Sequence, residues 1–197
     1  MTADSAAATV VGRLQGPATV DTAHGQDTVD VPRAEWVPAH QAARDLGFTF
    51  FDWLTGVDQL DDADDPGFDV VSHLWSMAAH EHLLLRTRVP ADDASLATLT
   101  GVFAGASWHE RETFEMFGLT FAGHPNLVPL LLPDGFEGHP LRKDFVLAAR
   151  AAKAWPGAKE PGESDRDSGS SPGRRKTRPP GVPDPETWGP RSPGGDS

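Results

Sequence analysis

At 197 residues the chain can hold one core-forming domain of about 150 residues and an appendage. It has no cysteine, which excludes disulfides, thiolate zinc sites and thiolate-held iron–sulfur clusters, so an electron carrier that it serves must sit on a partner. The formal net charge of −12 is uneven, with 9 Lys and Arg against 22 Asp and Glu in residues 1–150 and 8 against 7 in 151–197; so acidic a body is repelled by nucleic-acid backbones and anionic lipid, and a basic or mixed-charge protein partner suits it better.

The N-terminal MTADSAAATVVGRLQGP lacks the basic start and apolar run of a signal peptide, and no apolar stretch reaches the length of a spanning helix. The expectation is a soluble, cytoplasmic chain. Gln26 to Val31 alternates weakly and predicts a short edge strand closed by Pro32. From Arg33 to Leu46 the apolar side chains recur near every 3.6 residues, which predicts a helix that stops at Gly47. Phe48 to Val57 and Phe68 to Met77 are rich in aromatic and β-branched residues, with the acidic turn Asp61 to Asp65 between them. That turn lacks the ligand order of a calcium loop and reads as a solvated hairpin tip. His82 to Val89 predicts a third strand, and the three together suggest an antiparallel meander. Ser95 has the character of an N-cap before Leu96, Leu99, Val102 and Phe103, which predicts another helix. A further short helix is expected across WHERETFEMFG, from Trp108 to the stop at Gly118.

Residues 123–145, GHPNLVPLLLPDGFEGHPLRKDF, are too punctuated by Pro and Gly for long regular elements, yet too apolar for a solvent loop. Such a segment needs a surface to lie on, and another chain is the expected provider. In the stretch 151–197, 23 of 47 residues are Gly, Pro or Ser, so it cannot build a core and reads as an irregular tail. Trp155 and Trp188 in that tail are either incidental or anchors that dock elsewhere. The basic run Arg174-Arg175-Lys176 reads as a solvated linker rather than a nucleic-acid patch. The fold class is α+β: a mixed or antiparallel sheet of three to five strands with helices packed on it, forming a domain over 1–150, followed by the tail.

Several residues have the right chemistry for a site. Glu110, Arg111, Glu112 and Glu115 form a dense charged cluster, and at helical spacing Arg111 and Glu115 (i,i+4) predict a structural ion-pair network in preference to acid–base chemistry. His80 and His82 would share one side of a strand, as a metal site requires, but no third ligand is evident. His124 and His139 each follow Gly and precede Pro, so each sits in a turn that either presents the imidazole or is capped by it. No nucleotide or acyl-transfer signature occurs.

The run WHERETFEMFG, then FAGHP, then LLPDGFEGHPLRKDF, spanning Trp108 to Phe145, resembles the signature of the family formed by the C subunits of respiratory complex I, also called the thirty-kilodalton subunit family. FDWLTGVD (Phe51 to Asp58) and VVSHL (Val70 to Leu74) fall in the family's order, so the resemblance covers roughly residues 30–147. Two positions depart from it: Glu115 stands where Asp is usual, and Val128 where a basic residue is usual. The resemblance implies a non-catalytic peripheral-arm subunit of a proton-translocating NADH–quinone oxidoreductase, on the cytoplasmic side of the cell membrane. Its implied partners are the large subunit that forms the quinone site and the small subunit that bears a cluster, with no cofactor in this chain and FMN and iron–sulfur clusters in partner subunits. Glu110, Arg111, Glu112, His124, His139, Arg142 and Lys143 are the residues expected to contact those partners. The alternatives are the equivalent module of a membrane-bound energy-converting hydrogenase and, from another class, a free-standing metal-dependent hydrolase using His80, His82 and the Glu cluster.

Overall fold

The computed structural model describes residues 5–146; the tail from 151, with Trp155 and Trp188, lies outside the described residues. In chain order the elements are α1 (Ala6–Val11), β1 (Thr19–Ala23), β2 (Gln26–Asp30), α2 (Trp36–Asp45), β3 (Phe50–Gln59), β4 (Gly67–Ser76), β5 (Glu81–Pro90), β6 (Ser95–Ala97), α3 (Ala106–Phe117) and β7 (Thr120–Ala122). This is an α+β fold. Five strands form one sheet in the order β1-β2-β5-β4-β3, and β6 and β7 form a second, two-stranded sheet.

The three long strands behave as their composition predicts, because β3, β4 and β5 pair antiparallel through tight connections. Along β4 and β5 burial alternates with period two, which gives the sheet an inner face of Phe68, Val70, Leu74, Leu83, Leu85 and Val89 and an outer face of polar and half-buried residues. The sheet as a whole is mixed, however. β2 runs parallel to β5 and is not an edge, since β1 pairs outside it. Nothing in the sequence signals β1: all five of its residues are exposed, so no alternation of polarity marks it. α1 is also unannounced, six residues capped by the Ser5 hydroxyl, which accepts from the Ala8 N–H and lets Ala7 and Val10 enter the core.

α2 buries Trp36, Ala39, His40, Ala42 and Ala43 against the sheet, as its periodicity requires. Its His40 donates from Nδ1 to the Trp36 carbonyl (2.7 Å) and pairs through Nε2 with the Ser72 hydroxyl of β4 (2.6 Å). Burial pushes this imidazole down to about 4, so it is neutral and acts as a core hydrogen-bonding piece. α3 lies on β3, and Gly56 makes that approach possible: a Cβ there would stand 3.0 Å from the Phe117 ring.

The helix predicted to follow Ser95 is absent. Ser95–Ala97 is instead strand β6, paired parallel with β7, and the chain then turns through Leu99 to Phe103. The apolar spacing is real, with Leu96, Leu99, Val102 and Phe103 all buried. A helix of about nine residues is marginal in isolation, and here Thr98, Thr100 and Gly101 weaken it further. Tertiary partners then take the backbone: Ala122 O accepts from the Thr98 N–H, and the Leu99 N–H goes to a carboxylate of α3.

Candidate functional site

The signature segment is organised by α3. This helix begins at Ala106 and ends in Gly118, whose φ of +80° places it in the left-handed region that terminates helices. Its polar side chains hold three separate stretches of irregular backbone.

Glu110 is fully buried and faces the turn after β6. Its Oε1 accepts from the Leu99 N–H at 2.6 Å and its Oε2 from the Thr98 hydroxyl at 2.5 Å. Burial raises its carboxyl to about 7, against the opposing pull of those two hydrogen bonds. His124 lies beside it, with Nε2 3.9 Å from Glu110 Oε2 and both side chains shut off from solvent. Because His124 Nδ1 accepts from the Asn126 N–H at 3.0 Å, the neutral ring carries its proton on Nε2, directed at Ser107 (3.2 Å). His124 thus caps its own turn and also ties that turn to α3.

The next residue of α3, Arg111, donates from Nε to the Val128 carbonyl (2.9 Å) and from its terminal nitrogen to the Pro129 carbonyl (2.8 Å), while its guanidinium lies over the Trp108 ring. Glu115 accepts from the Leu131 N–H (2.8 Å) and the Leu132 N–H (2.9 Å), one on each oxygen. The predicted Arg111–Glu115 ion pair therefore does not form. Each charged group serves two adjacent backbone groups of the irregular segment, because a run rich in Pro has no ladder of its own to satisfy them. The Glu112 carboxylate makes no hydrogen bond or ion pair among the described residues.

The end of the helix is capped by the same segment. His139 Nδ1 donates to the Glu115 carbonyl (2.8 Å) and the Leu141 N–H to the Met116 carbonyl (3.2 Å), two of the carbonyls a helix C-terminus leaves open. The His139 ring fits against Gly118 so closely that a Cβ there would be 2.7 Å from Nε2. Beyond it, the Lys143 N–H donates to Asp58 Oδ2 and Lys143 Nζ to Asp61 Oδ1, while Arg142 chelates Asp144 and lies over Phe68.

The inner side of residues 123–145 thus rests on this chain's own α3 and hairpin, not on a foreign surface as the sequence suggested. Its outer side is different, since Trp108 is 61% exposed and Leu131 60%, and Val128 is exposed as well. Of the residues expected to contact partners, Glu110, Arg111, His124, His139, Arg142 and Lys143 all make contacts within this chain. Sequence reasoning placed Glu115 only in an ion-pair network and did not single out Asp58, because the partners of both are backbone amides that no side-chain spacing reveals. His80 lies in the turn before β5 with φ +56°, so it does not share a strand face with His82. No group of three or more metal-ligating side chains occurs among the described residues, and none of their helices is long and apolar enough to cross a membrane.

Known proteins resemble this arrangement over the same region. A family model described as "Respiratory-chain NADH dehydrogenase, 30 Kd subunit" matches residues 29–151. A protein of Roseiflexus sp. (strain RS-1), named as the C subunit of NADH-quinone oxidoreductase, is 47% identical over 105 residues, covering 53% of this chain and 59% of that one. One of the same name from Nocardioides sp. is 37% identical over 125 residues, covering 62% and 50%. In Yersinia pestis a protein named as the C/D subunit of the same oxidoreductase is 42% identical over 104 residues, 17% of its length. The chain thus spans about 59% or less of the curated relatives it matches. Among solved structures, a trypsin-resistant fragment of Nqo5 matches with a TM-score of 0.51 and 29% identity, covering 56% of this chain and 89% of the fragment. A membrane-bound sulfane sulfur reductase complex contains a chain with a TM-score of 0.61, covering 70% of this chain and 82% of that one, but at 23% identity it shows the fold alone. The curated relatives do not favour the hydrogenase alternative. With the family model spanning more than half of the sequence and the signature segment inside it, the chain belongs to the 30 Kd subunit family of respiratory-chain NADH dehydrogenase.

Proposed function

We propose that this chain is a non-catalytic peripheral-arm subunit of a proton-translocating NADH–quinone oxidoreductase, on the cytoplasmic side of the cell membrane. It supports the large quinone-site subunit and the small cluster-bearing subunit; FMN and iron–sulfur clusters reside in partner chains. The observation that carries this reading is the signature segment itself. Its residues spend their polar groups on holding irregular backbone in one shape, and that shape presents Trp108, Val128 and Leu131 outward as an apolar patch. Rigid backbone pinned from behind and apolar in front is a docking surface, and exposed aromatics of this kind anchor interfaces. The C/D designation of the Yersinia pestis relative supports a neighbouring D-type partner, since one chain there bears both letters.

The test is purification of the tagged full-length chain from its native cell. Recovery together with flavin- and cluster-bearing subunits that oxidise NADH is expected, and Leu131→Glu, which charges the patch while keeping the Leu131 N–H that Glu115 holds, should reduce that recovery. Recovery of the chain alone, or assembly indifferent to Leu131→Glu, would refute the proposal.

A further inference from the structure

On the outer face of the sheet, away from α3, two imidazoles and a carboxylate are held together. His73 of β4 and His82 of β5 are diagonal neighbours, since His82 is paired with Trp75. His73 Nε2 lies 3.3 Å from His82 Nδ1, with the ring planes 87° apart. The other nitrogen of His73, Nδ1, is 2.9 Å from Asp52 Oδ2. A β-bulge brings the carboxylate there: Phe51 pairs with Leu74 and Trp53 with His73, so Asp52 is the extra residue of β3. Bulges re-aim side chains in this way. Both rings are packed by indoles, Trp53 stacked on His73 at 5.6 Å and Trp75 edge-on to His82 at 5.5 Å.

We propose that His73 and His82 form a two-imidazole chelate for a divalent transition-metal ion such as Zn2+ or Cu2+, with Asp52 as the positioning residue. Two nitrogens bound at zinc–imidazole distances in tetrahedral geometry stand about 3.3 Å apart, which is the separation found. The carboxylate keeps the His73 proton on Nδ1 and leaves the Nε2 lone pair facing His82, the arrangement in which carboxylates orient metal-ligating histidines. In the metal-free chain that lone pair accepts from His82 Nδ1–H; on binding, His82 shifts to its Nε2–H tautomer and the ion takes the place of the Nδ1 proton between the two nitrogens. His82 is solvent-exposed, so an ion can enter and water can complete its coordination. The two indoles hold the rings before the ion arrives, which reduces the ordering that binding requires. The site joins three adjacent strands and does not depend on the assembly role proposed above.

The experiment uses the full-length chain, with Zn2+ in calorimetry and Cu2+ in tryptophan fluorescence. One saturable Zn2+ per chain is expected, together with a rise in unfolding midpoint. Cu2+ should quench fluorescence through Trp53 and Trp75, which lie against the ligating rings. His82→Gln, an exposed change that leaves the core untouched, should lower affinity at least tenfold and abolish the rise in midpoint. Asp52→Asn should lower affinity about 10- to 100-fold with both ligands in place. His80→Gln should bind as the parent does. Parent-like affinity in His82→Gln, parent-like affinity in Asp52→Asn, or equal loss in His80→Gln would each overturn the assignment.

Discussion

Replacing Glu110 with Gln isolates the energetics of the carboxylate beneath α3. In the folded chain it is fully buried, faces Thr98, Leu99 and His124, and is raised from 4.5 to about 7 by burial. A folded value above the unfolded one means that between pH 4.5 and 7 the folded chain keeps a proton that the unfolded chain has released. The contribution of this group to stability is therefore full below about pH 4.5 and lost as pH rises through 7. At about 1.4 kcal/mol per unit, the shift corresponds to a loss on the order of 3 kcal/mol. Gln has the same shape: its amide oxygen accepts from the Leu99 N–H, its amide nitrogen donates to the Thr98 hydroxyl, and it does not ionise. Urea unfolding of the full-length parent and Glu110→Gln, in steps from about pH 4.5 to about pH 8, measures the difference directly. The gap should move in favour of Gln by that order across the range, and the same series on a His124→Asn background removes the one titratable neighbour. A gap that stays constant with pH would refute the reasoning.

Three further changes probe the pinning of the signature segment. Arg111→Ala should cost about 1 kcal/mol, because two exposed carbonyls lose their charged donor and water replaces it only in part; Arg111→Lys should recover little of it, since one ammonium lacks the planar fork, and full recovery in chemical unfolding would contradict this. Glu115→Gln turns an amide N–H toward a backbone N–H and should cost about 1–3 kcal/mol, with faster hydrogen exchange confined to the amides near Leu131 and Leu132; unchanged exchange there would count against the staple. Gly118→Ala forces a side chain into a left-handed residue and against His139, costing at least about 1–2 kcal/mol and shifting the His139 ring resonances, whereas an unperturbed His139 would contradict the close approach.

What the sequence determined by itself were features that one-dimensional patterns encode. The period-two runs of β3, β4 and β5 and the 3.6-residue repeat of α2 each bury one face, so local polarity suffices to place them. The signature between Trp108 and Phe145 marked the family by residue identity alone. Tertiary structure decided everything that depends on where unpaired backbone goes. β1, exposed along its whole length, exists because β2 offers it a ladder, and β2 became internal when β5 paired parallel to it. The apolar spacing from Leu96 to Phe103 suited a helix, but Ala122 and Glu110 claimed the amides that the helix needed. Arg111 and Glu115 stood at the right spacing to pair with each other, yet the irregular segment brought carbonyls and amides with no other partner. His82 likewise lies nine residues from His73 and meets it only across a strand pair. Charge spacing along a chain states which groups are able to meet, whereas the cost of leaving a backbone group unsatisfied selects those that do.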